Sequence, residues 1–464
     1  MKTVLISGGG IAGPALAFWL RRFGFAPTVV EIAPGPRPGG QTVDLRGVSR
    51  VVAERMGLMP AVAGRQVHER GLEYVRADGR RTAAMAAEAL DGAGPVAEIE
   101  ILRGDLAELL TDATTDVEYL YGDSITALRQ DLEPSEPSTA TLSRSSGGTS
   151  SGISSGTSSG TSTGGGCGGV EVTFASGGER RFDLVVGADG VHSRVRRLAF
   201  GPEADFVHHL GGYTSYFTIE TPEDLQHWMK IYTAPGGRWI ALRPDRDPRF
   251  AKVLLSFRSP VLDYDRKDLA AQKRLVRSRF EGLGWHAEKV LAGLDAADDF
   301  YLDTTSRVVV PDWSRGRVTL VGDAGYCGSP MAGHGTALSL VGAYVLAGEL
   351  AAANGDHARA FPAYQARMQA YVEQRMELPP GGLKMAMPMS SFGIAYRDLV
   401  LRVMTSPMMS GALAKMARVK PDAIDLPEYS GLPERSGLPE HSVGLPEGSV
   451  ERGDPVRVAA EEAE

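Results

Sequence analysis

Thr3-Val4-Leu5-Ile6-Ser7-Gly8-Gly9-Gly10-Ile11-Ala12-Gly13-Pro14 decides the fold. Thr3–Ser7 has the continuous apolar character of a strand buried on both faces. Three glycines break it, and Ile11, Ala12, Ala15, Leu16, Trp19, Leu20 and Phe23 then recur at helical spacing. Pro14 falls in the first helical turn, where its missing N–H is one of the unpaired donors anyway. Thr28–Val30 forms a second strand, and Glu31 ends it. In this strand–turn–helix–strand unit Gly8 permits the tight turn and Gly10 lets backbone approach a pyrophosphate. Gly13 allows close packing of helix on strand. The helix N-terminus attracts the anion. Glu31 is placed to accept from both ribose hydroxyls and would repel a 2′-phosphate. The site therefore predicts an ADP-ribose group, from FAD or NAD.

The choice between these two lies far downstream. Arg317–Val321 reads as a strand, Gly322-Asp323-Ala324 ends it, and a Gly/Pro turn over Gly325–Gly335 leads into a helix from about Thr336 to Ala353. Asp323 at the strand's carboxyl end suits a ribityl chain. Gly333 and Gly335 let backbone amides approach a planar ring, and the helix N-terminus favours negative charge on that ring. NAD is too short to need a second anchor three hundred residues away, so FAD is expected. A third strand–turn, Asp183–Arg197, carries Asp189 and Gly190 at its bend, with Arg194, Arg196 and Arg197 beyond. A carboxylate beside guanidinium groups suits a pyrophosphate flank.

These three segments, in this order, resemble the class A flavoprotein monooxygenases of the para-hydroxybenzoate hydroxylase fold, closest to the tetracycline-inactivating and aromatic polyketide-hydroxylating members. The resemblance covers roughly residues 1–425. It implies that Gly8, Gly10, Gly13 and Glu31 hold the adenosine half of FAD, and that Asp323 binds the ribityl chain. It further implies that Asp189 serves both FAD and the nicotinamide cofactor. Gly39-Gly40-Gln41-Thr42-Val43-Asp44 resembles the family's loop beside the isoalloxazine, which implicates Asp44. Arg37 then matches a residue associated with the nicotinamide cofactor, and Arg103 one that contacts FAD. His334 stands where many members carry glutamine, and is either a tuning residue or part of the local hydrogen bonding.

The implied activity is that of an FAD-dependent, NAD(P)H-consuming monooxygenase. It would insert one atom of dioxygen into a polycyclic or aromatic small molecule through a flavin hydroperoxide, as a hydroxylation. No second dinucleotide fingerprint occurs, so NAD(P)H would bind transiently. With the flavin as catalyst, no catalytic side chain is assigned beyond the weak candidate His334. A non-oxygenating FAD-dependent oxidase or reductase is the first alternative, and a non-catalytic flavin-binding interaction protein the second.

The expected architecture is α/β: a Rossmann-like FAD-binding unit (residues 1–65, 96–133, 170–200 and 300–360) interleaved with a mostly antiparallel sheet for substrate (66–95 and 201–299). A helical segment follows at 361–425. Four strand-like runs between 211 and 259 build the second sheet. Tyr213 and Phe217, or the opposite face, with Trp239 or Arg243, are the candidate substrate contacts; ordinary sheet packing is the competing reading. Residues 134–169 contain twelve Ser, six Thr and ten Gly, and read as a disordered insertion at a hairpin tip. The tail, 426–464, repeats LPEYSG-like units and reads as disordered and acidic.

Forty-nine basic against fifty-seven acidic residues give a net charge of −8, and residues 421–464 alone account for it with eleven acids and three bases. A neutral body with an acidic tail lacks the basic footprint of a nucleic-acid binder. No apolar run reaches the ~18 residues of a membrane span. Two cysteines, Cys167 and Cys327, give no disulfide framework, and the scattered histidines no metal site. A cytoplasmic monomer or homodimer is expected.

Overall fold

The computed structural model describes residues 1–37, 39–87, 99–130, 168–329, 332–377, 381–404 and 422–429. All but Gly168 and Gly169 of the expected insertion, the tail beyond Tyr429 and the helical expectation over 405–420 lie outside the described residues.

The opening motif folds as expected, with a strand at Thr3–Ser7, a helix at Ala12–Arg22 and a second strand at Ala26–Glu31. Val4, Leu5, Ile6, Ala15, Leu16 and Leu20 have no exposed surface, and Arg21 and Arg22 complement the helix dipole in its last turn. The strand is the centre of a six-stranded sheet. Ala26–Glu31 and then Glu118–Tyr121 extend it on one side, and Leu184–Gly187, Val318–Leu320 and Ser314–Arg315 on the other. All neighbours are parallel except the last pair. The carboxyl ends of three strands thus meet at one edge: Ser7 with Gly187, and Gly187 with Leu320. Sequence positions 180 and 313 residues from Ser7 converge there.

One helix, Gly335–Ala352, is apolar on every side and packs against the helices Ala12–Arg22, Val48–Arg55 and His357–Arg375. It is long and apolar enough to cross a membrane, which amends the sequence reading. Since 89% of it is buried inside the molecule, it is the core helix that all-round apolarity implies.

A second, eight-stranded sheet runs in the order Tyr326–Cys327, Tyr301–Val309, Val207–Glu220, Phe250–Arg258, Arg238–Pro244, Trp228–Ala234, Gly71–Val75 and Arg81–Ala86. Every pair is antiparallel except Trp228–Ala234 with Gly71–Val75. Tyr301–Val309, placed by the sequence in the FAD-binding unit, pairs instead along Val207–Glu220 in this sheet. A strand's own residues do not name its neighbour, which explains the shift. One face packs on the helices Leu269–Phe280 and Ala287–Ala296. The other faces the parallel sheet's carboxyl edge. The hairpin expected around the insertion is present, with Ile125–Gln130 antiparallel to Val170–Phe174.

Candidate active site

A cleft of ≈ 1550 Å³ runs from the first glycine turn, past the Asp189 and Asp323 loops, to the free face of the eight-stranded sheet. A typical ligand pocket holds roughly 300–1,000 Å³, so the space suits a dinucleotide with a second molecule.

At one end Gly8 adopts φ +114°, and a Cβ there would overlap the Ala188 carbonyl. Gly10 has open space around its missing side chain and lines the cleft. Gly13 lies against the Gly8 carbonyl and 3.4 Å from Ile6 Cγ2, measured to an ideal Cβ. Gly8 and Gly13 thus have the tight turn and the close helix–strand approach that their spacing predicts. Glu31 accepts from Gly9 N at 2.7 Å and Ala33 N at 2.9 Å. With Arg37 also donating to Oε1, the lone pair left for a ligand hydroxyl is on Oε2. Arg37 is turned onto Glu31 at 3.0 Å and is more than half exposed.

Arg103 begins the helix Arg103–Asp112 and lines the cleft. Burial and then the neighbouring Arg37 lower its pKa, and among the described residues no carboxylate lies within ion-pair distance. A cleft-lining guanidinium with no carboxylate in ion-pair distance suits an anionic ligand.

Asp189 is buried, which pushes its carboxyl pKa up. It accepts from Arg194 N at 2.8 Å, Val195 N at 3.2 Å, Ser7 Oγ at 3.3 Å and Ser193 Oγ. Its carboxylate thus bolts the helix Arg194–Ala199 to the first strand while lining the cleft. Arg196 corrects the expectation of a pyrophosphate flank. It has no exposed surface and donates to Ala324 O at 2.8 Å, tying this loop to the Asp323 loop. Arg194 and Arg197 do line the cleft.

Asp323 sits in a 3-10 turn, Gly322–Ala324, and burial pushes its carboxyl pKa up. Its Oδ1 is buried, lacks a protein partner and lies 3.6 Å from an ideal Cβ on Gly335. Gly333 takes φ +71° with open space beyond. An orphaned buried acceptor and a cleft-lining guanidinium without a counter-ion are what a hydroxylated, phosphorylated cofactor such as FAD would satisfy.

His334 caps the core helix. Burial, with Arg375 and Arg46 nearby, pushes its pKa down to about 4. Asp44, across the cleft wall, pairs with Arg46, yet burial outweighs that pairing and pushes its pKa up to about 6. These shifts oppose one another. Between about pH 4 and 6 the fold holds a proton on Asp44 that the unfolded chain releases, so stability falls as pH rises. Over the same range the unfolded chain protonates His334 while the fold does not, so stability rises with pH. Asp44→Asn should expose the rising slope and His334→Asn the falling one, each approaching about 1.4 kcal/mol per pH unit. Urea titrations of the apoprotein at four pH values between 4 and 6.5 measure both.

Of the substrate candidates, Trp239 and Arg243 line the cleft, whereas Tyr213 and Phe217 are turned away, each 2% exposed in the core against the helices. Strand alternation puts Tyr216, not its odd-numbered neighbours, on the cleft side. Leu72, Met229, Ile231 and Leu254 complete an apolar wall. Trp239 Nε1 is buried there without a partner. Arg243 donates to Glu69 at 2.6 Å and Glu100 at 3.0 Å. Burial disfavours its charge, but the two carboxylates raise its pKa well above the ordinary value. The sequence reading missed Leu72, Met229, Ile231 and Leu254, although alternation within Trp228–Ala234 carried the signal for Met229 and Ile231. It also missed Arg375. Among the described residues no cluster of His, Cys, Asp and Glu could hold a metal.

A family model described as an FAD binding domain matches residues 1–379. An uncharacterized protein of Mycobacterium tuberculosis is 40% identical over 389 residues, covering 82% of this chain and 95% of its own. A flavin-dependent monooxygenase of Legionella longbeachae is 34% identical, covering 80% and 86%. Among solved structures, tetracycline destructase Tet(51) is 31% identical with a TM-score of 0.69, covering 92% of this chain and 99% of its own. Klebsiella pneumoniae HpxO, solved with FAD and uric acid, shares the fold at 19% identity and a TM-score of 0.63, covering 90% and 96%. FAD is thus the cofactor, and the chain belongs to the FAD binding domain family, as a class A flavoprotein monooxygenase.

Proposed function

We propose that this protein uses NAD(P)H and dioxygen to insert one oxygen atom into a planar, polycyclic or aromatic, polyketide-like molecule, most simply as a hydroxylation. The observation that carries the reading is the continuity of the cleft. A dinucleotide-binding edge with unpaired buried polar groups opens directly onto a sheet face of Tyr216, Trp239, Met229, Ile231, Leu72 and Leu254.

When bound, FAD would supply the redox chemistry that links the nicotinamide to dioxygen. This chain's residues do the remaining work. Gly8–Gly13 and Glu31 receive the adenosine and pyrophosphate, and Arg103 neutralises phosphate charge. Asp323 accepts from ribityl hydroxyls. Gly333–Gly335 and the N-terminus of the core helix would hold the ring's end of the cofactor, where the helix dipole favours negative charge. The neutral His334 adds no positive charge there. The apolar sheet wall excludes water and orients a flat substrate. Trp239 Nε1–H, a donor with no protein acceptor, holds a substrate oxygen.

Cys327 is a buried free thiol, which agrees with a reducing, cytoplasmic setting.

Purified protein reconstituted with FAD is incubated with NADPH or NADH, labelled dioxygen and a panel of tetracyclines and phenolic anthraquinones. The expected result is substrate-stimulated NAD(P)H consumption with one labelled oxygen in the product. Turnover without label would make the protein an oxidase or reductase. Trp239→Phe should raise KM about tenfold, from loss of one hydrogen bond in a dry site, with kcat changed less.

A further inference from the structure

Asp422 lies outside every motif in the sequence, in a strap, Asp422–Tyr429, laid across the helices that carry the cleft. The strap is fixed at three points. Asp422 Oδ2 accepts from Val48 N at 2.8 Å, and its Oδ1 pairs with Arg375. Pro427 O accepts from Arg55 Nη1 at 2.9 Å and Tyr344 Oη at 2.7 Å. Tyr429 donates to Glu349 Oε1 at 2.8 Å, and its ring meets Phe23 edge-on at 6.1 Å. Gly47, at φ +55°, leaves room for the Asp422 carboxylate, which a Cβ there would overlap.

Arg375 is the part of this arrangement that reaches the cleft. Its Nη1 lies 3.5 Å from His334 Nε2, its guanidinium lies 5.5 Å from the Tyr371 ring centre, and its Nε has no partner. Its side chain is 11% exposed and that of Asp422 10%. Among the described residues Asp422 is the one carboxylate in ion-pair distance of Arg375. At such burial a unit charge acts over several ångströms with little screening.

We infer that Asp422 is a positioning residue that fixes the electrical charge at the Gly333–Gly335 end of the cleft, by neutralising Arg375 and holding it beside His334. The inference rests on the flavin ring lying at that end. With the pair intact, Arg375 adds little net charge to the field of the helix dipole at the ring. Loss of Asp422 leaves a buried cation that favours electron uptake, and loss of Arg375 leaves a buried anion that opposes it. The two losses therefore shift the flavin's reduction potential in opposite directions, which damage to the fold alone would not do.

The test uses the full-length holoprotein. The reduction potential of bound FAD is measured by dye-coupled titration, and its dissociation constant by flavin fluorescence, for wild type, Asp422→Asn, Arg375→Gln and the double variant. Asp422→Asn should raise the potential, Arg375→Gln should lower it, and the double variant should return close to wild type. Each single variant should weaken FAD binding about tenfold, as expected when one half of a buried pair is left alone. Asp422→Glu, which keeps the charge, should keep a near-native potential, and with Arg375→Gln it decides the matter if Asp422→Asn does not fold. Shifts of the same sign, or lowered melting temperatures with unmoved potentials, would overturn the inference. Asp323→Asn serves as the control for the ring's location. Native flavin affinity in that variant would defeat the placement of the cofactor itself. Lost affinity there, with unmoved potentials in the Asp422 and Arg375 variants, would defeat only the role of Asp422.

Discussion

Gly13→Ala should yield colourless protein that retains no flavin after gel filtration. Helix propensity alone favours alanine over glycine by about 1 kcal/mol, so any loss must come from contact. The added Cβ would overlap the Gly8 carbonyl oxygen and approach Gly8 C at 3.1 Å and Ile6 Cγ2 at 3.4 Å. Two of these are backbone atoms that cannot rotate aside. The helix must lift off the strand or the turn must open, and either displaces Gly9 and Gly10 from the cleft floor. Overpacking of this kind costs about 1–3 kcal/mol in stability. A shift of about an ångström in the phosphate-binding backbone adds a loss of at least a hundredfold in FAD affinity. Calorimetry of the apoprotein separates the two effects. Gly10→Ala is the contrast, since its Cβ meets nothing in the protein. Its apoprotein should melt like wild type, with any loss confined to flavin binding.

Asp323→Asn should move stability and cofactor affinity in opposite directions. In the apoprotein the carboxylate is buried with Oδ1 unpaired, and burial raises its pKa. A group whose folded pKa lies above its unfolded value makes the fold less stable once pH exceeds the unfolded value, and the full penalty is present above the folded one. A neutral isostere removes that penalty, so the apoprotein at pH 7 should melt higher, by about 1–3 kcal/mol. A hydrogen bond to a charged acceptor contributes about 1.5–3 kcal/mol, so FAD affinity should fall roughly ten- to a hundredfold. Thermal melts with and without FAD test both halves. A variant that loses apoprotein stability would mean that Asp323 serves the fold rather than the ligand.

The parts legible in the sequence are those fixed by local geometry. Gly8, Gly13 and Glu31 act within one strand–turn–helix–strand unit, where spacing dictates the roles. The place of Asp323 in the cleft was legible because a carboxylate at a strand's end before a glycine-rich turn has few structural uses. The substrate wall was half legible. Alternation along Val207–Glu220 separates Tyr213 and Phe217 from Tyr216, but does not say which set meets the helices Leu269–Phe280 and Ala287–Ala296. Arg196 looked like a phosphate ligand among three neighbouring arginines, and only the approach of Ala324 O, 128 residues away, makes it a buried tie. Asp422 and Arg375 are 47 residues apart with no motif between them. Their pairing depends on how four helices stack, which no local pattern encodes. The same holds for Tyr301–Val309, whose neighbour is chosen by the whole sheet.

The parity of the eight-stranded sheet has a consequence for how such a protein changes over generations. Residues pointing one way along its strands, such as Tyr213, Phe217, Ile240 and Phe257, are locked into an interior. Those pointing the other way, such as Tyr216, Met229, Ile231, Trp239 and Leu254, border open space. Mutational drift on the second set can remodel the chamber's shape with little disturbance to the scaffold. A combinatorial library restricted to those five positions should therefore keep most of its members folded and pigmented while spreading their chemical preferences widely.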